Sequence, residues 1–103
     1  MSNLKGSPLP SRLKAARKEK GISQKQLGIM AGLDPSVASP RINQYEKATH
    51  APDINMIRAL AKVLDKPLPY FYSELDWIAE LLSAVHNKDL ELATEIINSN
   101  IRA

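Results

Sequence analysis

Apolar residues return along the chain at intervals of three and four, in short blocks separated by glycine, proline and small polar residues. That spacing is helical, because 3.6 residues per turn brings such positions onto one face. Leu9, Leu13 and Ala16 share a face of a first helix. It opens near Ser7-Pro8 or Ser11, since proline is tolerated where helix N–H groups have no partner. It ends at Lys20, with Gly21 as the left-handed stop. Ser23-Gln24-Lys25-Gln26 is a Ser-x-x-Gln capping box. It opens a short second helix bearing Leu27, Met30 and Ala31, closed by Gly32.

The third helix has two candidate starts. Asp34-Pro35 is a good cap and first position, but a helix beginning there would hold Pro40 in its interior and lose a hydrogen bond. The pattern therefore predicts a short turn over residues 34–38 and a helix from about Ser39 to Lys47, with Ser39 as cap and Pro40 in first position. After a loop through Thr49-His50-Ala51-Pro52, Asp53 caps a long amphipathic helix with Ile54, Ile57, Leu60, Ala61 and Leu64 inward. Pro67-Leu68-Pro69 starts a brief helical turn carrying Tyr70, Phe71 and Tyr72. Ser73, with Asp76 three residues on, caps a helix to about Val85, and Asp89 begins a last one to about Asn100. Strand signals are nearly absent: no β-branched alternation and no Asn-Gly or Asp-Gly turn. The expected fold is all-α, with a five-helix head over residues 1–72 and a two-helix tail over 73–103.

Composition narrows the chemistry. A chain of 103 residues fits one small domain with a modest appendage. The absence of cysteine excludes disulfides, thiolate nucleophiles and Cys-ligated metals. Two histidines, at 50 and 86, are too few for a His-built metal site, and no metal or cofactor is expected. Apolar runs are a few residues long, as in Trp77-Ile78-Ala79, so no segment should span a membrane. The N-terminus lacks the apolar core of a signal peptide, which makes the cytoplasm the expected compartment. No Ser-His-Asp grouping, Walker loop or dinucleotide fingerprint is present, and no enzymatic activity is expected.

Charge is placed unevenly. Residues 1–50 carry nine Lys/Arg against Glu19, Asp34 and Glu46, a net +6, whereas residues 51–103 carry five against eight acids, a net −3. A basic front and an acidic rear fit a nucleic-acid surface on one half and a partner or dimer surface on the other. On a helix advancing 100° per residue with Ile42 at zero, Tyr45 lies at about −60° and Glu46 at about +40°, sharing the buried face. Pro40, Gln44 and Lys47 fall near the opposite pole, with Arg41 and Asn43 on the flanks. An outward face of amides and cations with no carboxylate suits groove edges and phosphates. A plain solvated helix would be richer in Glu–Lys pairs.

These residues carry a resemblance. The order Leu13-x3-Arg17-x3-Gly21-Ile22-Ser23-Gln24-x2-Leu27-Gly28-x2-Ala31-Gly32-Leu33, then Ile42-Asn43-Gln44-Tyr45-Glu46 and Pro52, resembles the Cro/C1-type (XRE-family) helix-turn-helix over about residues 9–72. The resemblance implies a five-helix domain that binds double-stranded operator DNA, usually as a dimer, and represses transcription. It places Ser23 and Gln24 against the DNA backbone at the second helix, Ser39, Pro40, Arg41 and Gln44 where the third helix meets bases in the major groove, and Lys47 and Thr49 where the next loop approaches phosphates. Lys25, a cation beside the second-helix contact, and Asn43, on the flank of the third helix, are further DNA contacts expected from the residues themselves. Arg17 and Glu46 match a family ion pair tying the first helix to the third. Two departures stand out. Four extra residues lie between Asp34 and Ile42, lengthening the turn or extending the recognition helix backwards. Ile29 and Met30 stand where polar residues are usual, and the insertion, with Val37, is expected to pack on them. Gly28 replaces a common alanine and would let the inserted segment approach closely.

The tail lies beyond the resemblance. Residues 73–103 hold six acids against Lys88 and Arg102 and should not touch DNA. Leu75, Ile78, Leu82 and Val85 form one stripe, with Trp77 and Leu81 beside it. Leu90, Ala93, Ile97 and Ile101 form another, with Ile96 adjacent. One stripe on each closes a hairpin, and the surplus points to a homodimer interface, to a dock for a protein partner, or to packing on the head. The expected function is a sequence-specific, homodimeric repressor on an inverted-repeat operator. The alternative is an interaction module, such as an antitoxin or a regulator of another repressor, acting through the tail.

Overall fold

The computed structural model describes residues 6–101; Lys5 and Arg102, counted in the charge above, lie outside the described residues. The elements are α1 (Leu9–Lys20), α2 (Gln24–Met30), α3 (Pro35–Glu46), α4 (Ile54–Leu64), a 3₁₀ turn (Leu68–Tyr72), α5 (Asp76–His86) and α6 (Leu90–Asn100), with no strand among the described residues. The all-α fold read from the sequence is the observed one.

Local chemistry sets most of the helix ends. Gly21 stops α1 at φ 75°, its N–H reaching the carbonyls of Arg17 and Lys18. At α2 the capping box is complete: Gln26 N–H donates to Ser23 Oγ (3.0 Å), and Ser23 N–H donates to Gln26 Oε1 (2.8 Å). Asp53 accepts from Met56 N–H at α4 (2.8 Å), and Asp89 from Leu92 N–H at α6 (3.1 Å). Leu13, Leu27, Ile42, Ile57, Leu60 and Phe71 are fully buried and join the four head helices and the 3₁₀ turn in one core. Ile54, expected inward, is exposed; α4 buries Ile57, Leu60, Ala61 and Leu64 instead.

The start of α3 corrects the expectation. Asp34, not Ser39, is the cap, with Pro35 in first position and Pro40 inside the helix. The four extra residues therefore do not precede the recognition helix; they are its first turn. An interior proline costs about 3 kcal/mol, and packing offsets it. Ala38 is fully buried and extends the inward stripe Ala38, Ile42, Tyr45 by one turn. That turn lies against Gly28, where a Cβ would stand 2.7 Å from Ala38 Cβ and 2.9 Å from its Cα. A helix starting at Ser39 would forgo this contact. Val37, Ile29 and Met30 do not form the expected covered cluster: all three are 40% exposed or more.

The tail also differs in detail. Ser73 does not cap α5; its hydroxyl donates to Leu75 O (3.3 Å) and Leu75 occupies the cap position. Asp76 instead pairs with Arg12 Nη1 (3.0 Å), and Arg12 Nε donates to Ser73 O (3.0 Å). The hairpin closes on Ala84, Ala93 and Ile96, with Trp77 and Leu81 half-buried against them, while Ala79 joins the head core. Leu75, Val85, Leu90, Ile97 and Ile101, assigned to the hairpin stripes, are exposed. The inward stripe runs through Trp77, Leu81 and Ala84 on α5 and Ala93 and Ile96 on α6, a helical phase that turns these other residues outward.

Candidate nucleic-acid interface

α2 and α3 meet at the Gly28–Ala38 contact, and a polar network on their flank fixes their register. Arg17 from α1 grips Glu46 through two bonds, Nε to Oε2 (2.6 Å) and Nη2 to Oε1 (3.1 Å), and its Nη1 donates to Ile22 O (3.0 Å). Side-chain exposures of 12% and 3% make this a largely desolvated, fork-to-carboxylate pair. The Glu46 hydrogen bond is the main cause raising the Arg17 pKa above its ordinary value; burial opposes it and the Glu46 charge adds to it. Gln24 joins the same network, its Nε2 donating to Glu46 Oε1 (3.1 Å) and to Asn43 Oδ1 (3.2 Å).

This geometry sorts the sequence-derived DNA residues. Ser23, Lys25, Pro40, Gln44, Lys47 and Thr49 are exposed. Arg41 and Asn43 are half-buried on the flanks of α3, and Ser39 is half-buried in its fifth position rather than at its end. Gln24, read as a backbone contact, has its amide nitrogen turned toward α3. Thr49 folds back so that its N–H and hydroxyl both donate to Gln44 O (3.0 and 3.3 Å). Ala48 takes φ 61° at this turn. His50 is exposed, its ring 6.3 Å from that of Tyr45. The α3 cap contributes as well: Ser36 donates its hydroxyl (2.7 Å) and N–H (2.9 Å) to Asp34 Oδ1, and these two bonds hold the Asp34 carboxyl below its ordinary range.

A second polar cluster went unread in the sequence. Lys66 is 6% exposed, and its Nζ donates to Glu19 Oε1 and Oε2 (3.1 and 3.0 Å) and to Ser83 Oγ (2.7 Å). It also stands 4.9 Å over the Tyr70 ring. It thereby joins α1, the 3₁₀ turn and α5. Burial is the main cause raising the Tyr70 hydroxyl pKa above its usual value. Asp65, the residue before Lys66, takes the left-handed φ of 57° that ends α4. His86, the last residue of α5, lies 3.2 Å from Asp65 Oδ1. A cleft of about 640 Å³ lies between α1 and the tail, and its lining includes no residue of α2 or α3.

A capped helix, a tight turn and a second helix with an exposed polar face define a helix-turn-helix DNA-binding protein. The comparisons agree. Residues 13–71 match the helix-turn-helix family, so the chain belongs to the XRE-type helix-turn-helix proteins. The crystal structure of the transcriptional regulator BswR is similar, with a TM-score of 0.73 and 41% identity, covering 88% of this chain and 96% of that one. No curated protein matches. The chain is a DNA-binding transcriptional regulator and not an enzyme. No described helix is long and apolar enough to cross a membrane.

Proposed function

We propose that the protein is a homodimeric repressor that reads an inverted-repeat operator and acts by excluding polymerase. The observation that carries the reading is the exposed face of α3. Pro40, Gln44 and Lys47 stand outward there, opposite the buried Ala38, Ile42 and Tyr45, in the half of the chain with net charge +6. Gln44 recognises a base edge through its bidentate amide, with Arg41 and Asn43 on the flanks. Lys25 and Lys47 bind phosphates and supply salt-dependent affinity. Ser23 and Thr49 contact the backbone, and the Arg17–Glu46 pair is structural. Residues 1–72 are the DNA-binding head; residues 73–103 are the dimerisation element, working in the cytoplasm.

The tail supports the dimer. Leu75, Val85, Leu90 and Ile101 are each more than half exposed, with Ile97 at 39%. Ile78 and Leu82 are only half-covered, whereas Ile96, Trp77 and Leu81 are engaged within the hairpin. A small head gains affinity when a two-fold partner occupies a second half-site about 34 Å away. The same exposed face favours a second reading, in which the tail docks a different protein, as in an antitoxin.

The test is selection from a random duplex library with full-length protein at about 150 mM salt, where most non-specific binding is weakened. An inverted repeat with centres one turn apart supports the dimeric repressor, whereas no enrichment removes it. Gln44→Ala should relax one base-pair position, a loss of about 1–3 kcal/mol against the preferred base. Lys25→Ala should weaken all duplexes alike and reduce the salt slope by about one.

A further inference from the structure

We propose that Val37, in the additional first turn of α3, is a base-reading residue that contacts a thymine methyl group and extends the recognition surface beyond Pro40 and Gln44. This inference rests on the reading of α3 as the recognition element. Val37 and Gln44 are seven residues apart, so on an α-helix they lie within about 20° of one line and about 10.5 Å apart along the axis. Pro40 sits between them, at the i+3 position. All three are exposed, and none belongs to the inward stripe of Ala38, Ile42 and Tyr45. The extra turn thus lengthens the outward face by one full turn in phase with the residues already on it.

The composition of that face is costly for a helix that has only water outside. Valine is a poor helix former and an interior proline poorer still, and Val37 is 40% exposed. Neither side chain completes the core. Both present methyl or methylene groups on the outward face that carries Gln44, Pro40 one turn from it and Val37 two, with Arg41 on the flank and Lys47 at the helix end. An apolar contact amid cations and an amide matches the major-groove edge of an A·T pair, which offers a thymine methyl group next to hydrogen-bonding atoms and phosphates. At 3.4 Å per base step, a helix lying along the groove places Val37 about three base pairs from the one read by Gln44.

The experiment compares library selections by wild type, Val37→Ser and, as a control off this face, Ile29→Ser. Melting curves check that each variant is folded. The wild-type half-site should contain a thymine about three base pairs from the position that Gln44→Ala relaxes. Val37→Ser should relax that thymine alone. Replacing it with deoxyuridine should weaken wild-type binding about fourfold, the value of one buried methyl group, and leave Val37→Ser unaffected. Unchanged base preferences in a folded Val37→Ser overturn the proposal while leaving the reading of α3 intact. A uniform loss of affinity for all sequences also overturns it. If wild type enriches no motif, the reading of α3 fails and this inference fails with it.

Discussion

Gly28→Ala tests the packing that aims the recognition helix. A Cβ at position 28 would meet Ala38 Cβ at 2.7 Å, Ala38 Cα at 2.9 Å and Ala38 O at 3.0 Å. Carbon atoms in contact prefer about 3.5–4.0 Å, so α3 would have to retreat by most of an ångström. Two of the three atoms are backbone, and rotating a side chain cannot relieve them. The helix is also anchored by Ile42 in the core and by Arg17 on Glu46. Overpacking of this kind costs about 1–3 kcal/mol, whereas replacing an interior helix glycine with alanine returns about 1 kcal/mol. Because the clash is with backbone, the cost falls in the upper part of that range, about 2–3 kcal/mol, and the variant should lose about 1–2 kcal/mol net. In a chain of this size that lowers the melting temperature by about 4–15 °C. Urea unfolding followed by circular dichroism measures the loss, and anisotropy on the selected duplex should show weaker binding as α3 shifts. Adding Ala38→Gly should recover part of the loss through favourable coupling, but only part, because the Ala38 Cα and carbonyl remain. A Gly28→Ala protein more stable than wild type would refute the close α2–α3 approach and leave Gly28 as a mere helix defect.

Two further outcomes follow from the polar clusters. Lys66→Ala should cost about 2 kcal/mol, since a charge-assisted bond and a buried stem are both lost, and hydrogen exchange should show α5 losing protection before the head. Lys66→Met should cost less, because it keeps the stem and Glu19, 64% exposed, rehydrates readily; equal losses would contradict this division. The Asp34 carboxyl has a folded pKa below its unfolded value, so its contribution is present above the unfolded pKa and lost as pH falls through the folded one. Asp34→Asn keeps an acceptor for Ser36 without the titration, so its melting temperature should fall less steeply than wild type between about pH 5 and pH 2; parallel curves would count against the assignment.

Several features were legible before the fold because their causes are local. Ser23 with Gln26, Asp53 with Met56 and Asp89 with Leu92 act within three residues, and Gly21 needs only its own missing Cβ. The family order over Leu13 to Glu46 likewise carried the helix-turn-helix, and the phase of Ile42, Tyr45 and Gln44 separated the buried face of α3 from the exposed one. The start of α3 could not be read this way. Locally Pro40 argues for a late start, and only the Gly28–Ala38 contact, ten residues apart, outweighs it. Nothing local marks Lys66 for burial, because its partners, Glu19 and Ser83, lie 47 and 17 residues away. The tail's periodicity offered more apolar positions than one hairpin can bury. Which of them faced inward depended on the phase at which the two helices meet, through Trp77, Leu81, Ala84, Ala93 and Ile96, since packing is a relation between helices and leaves no mark on the period of either one.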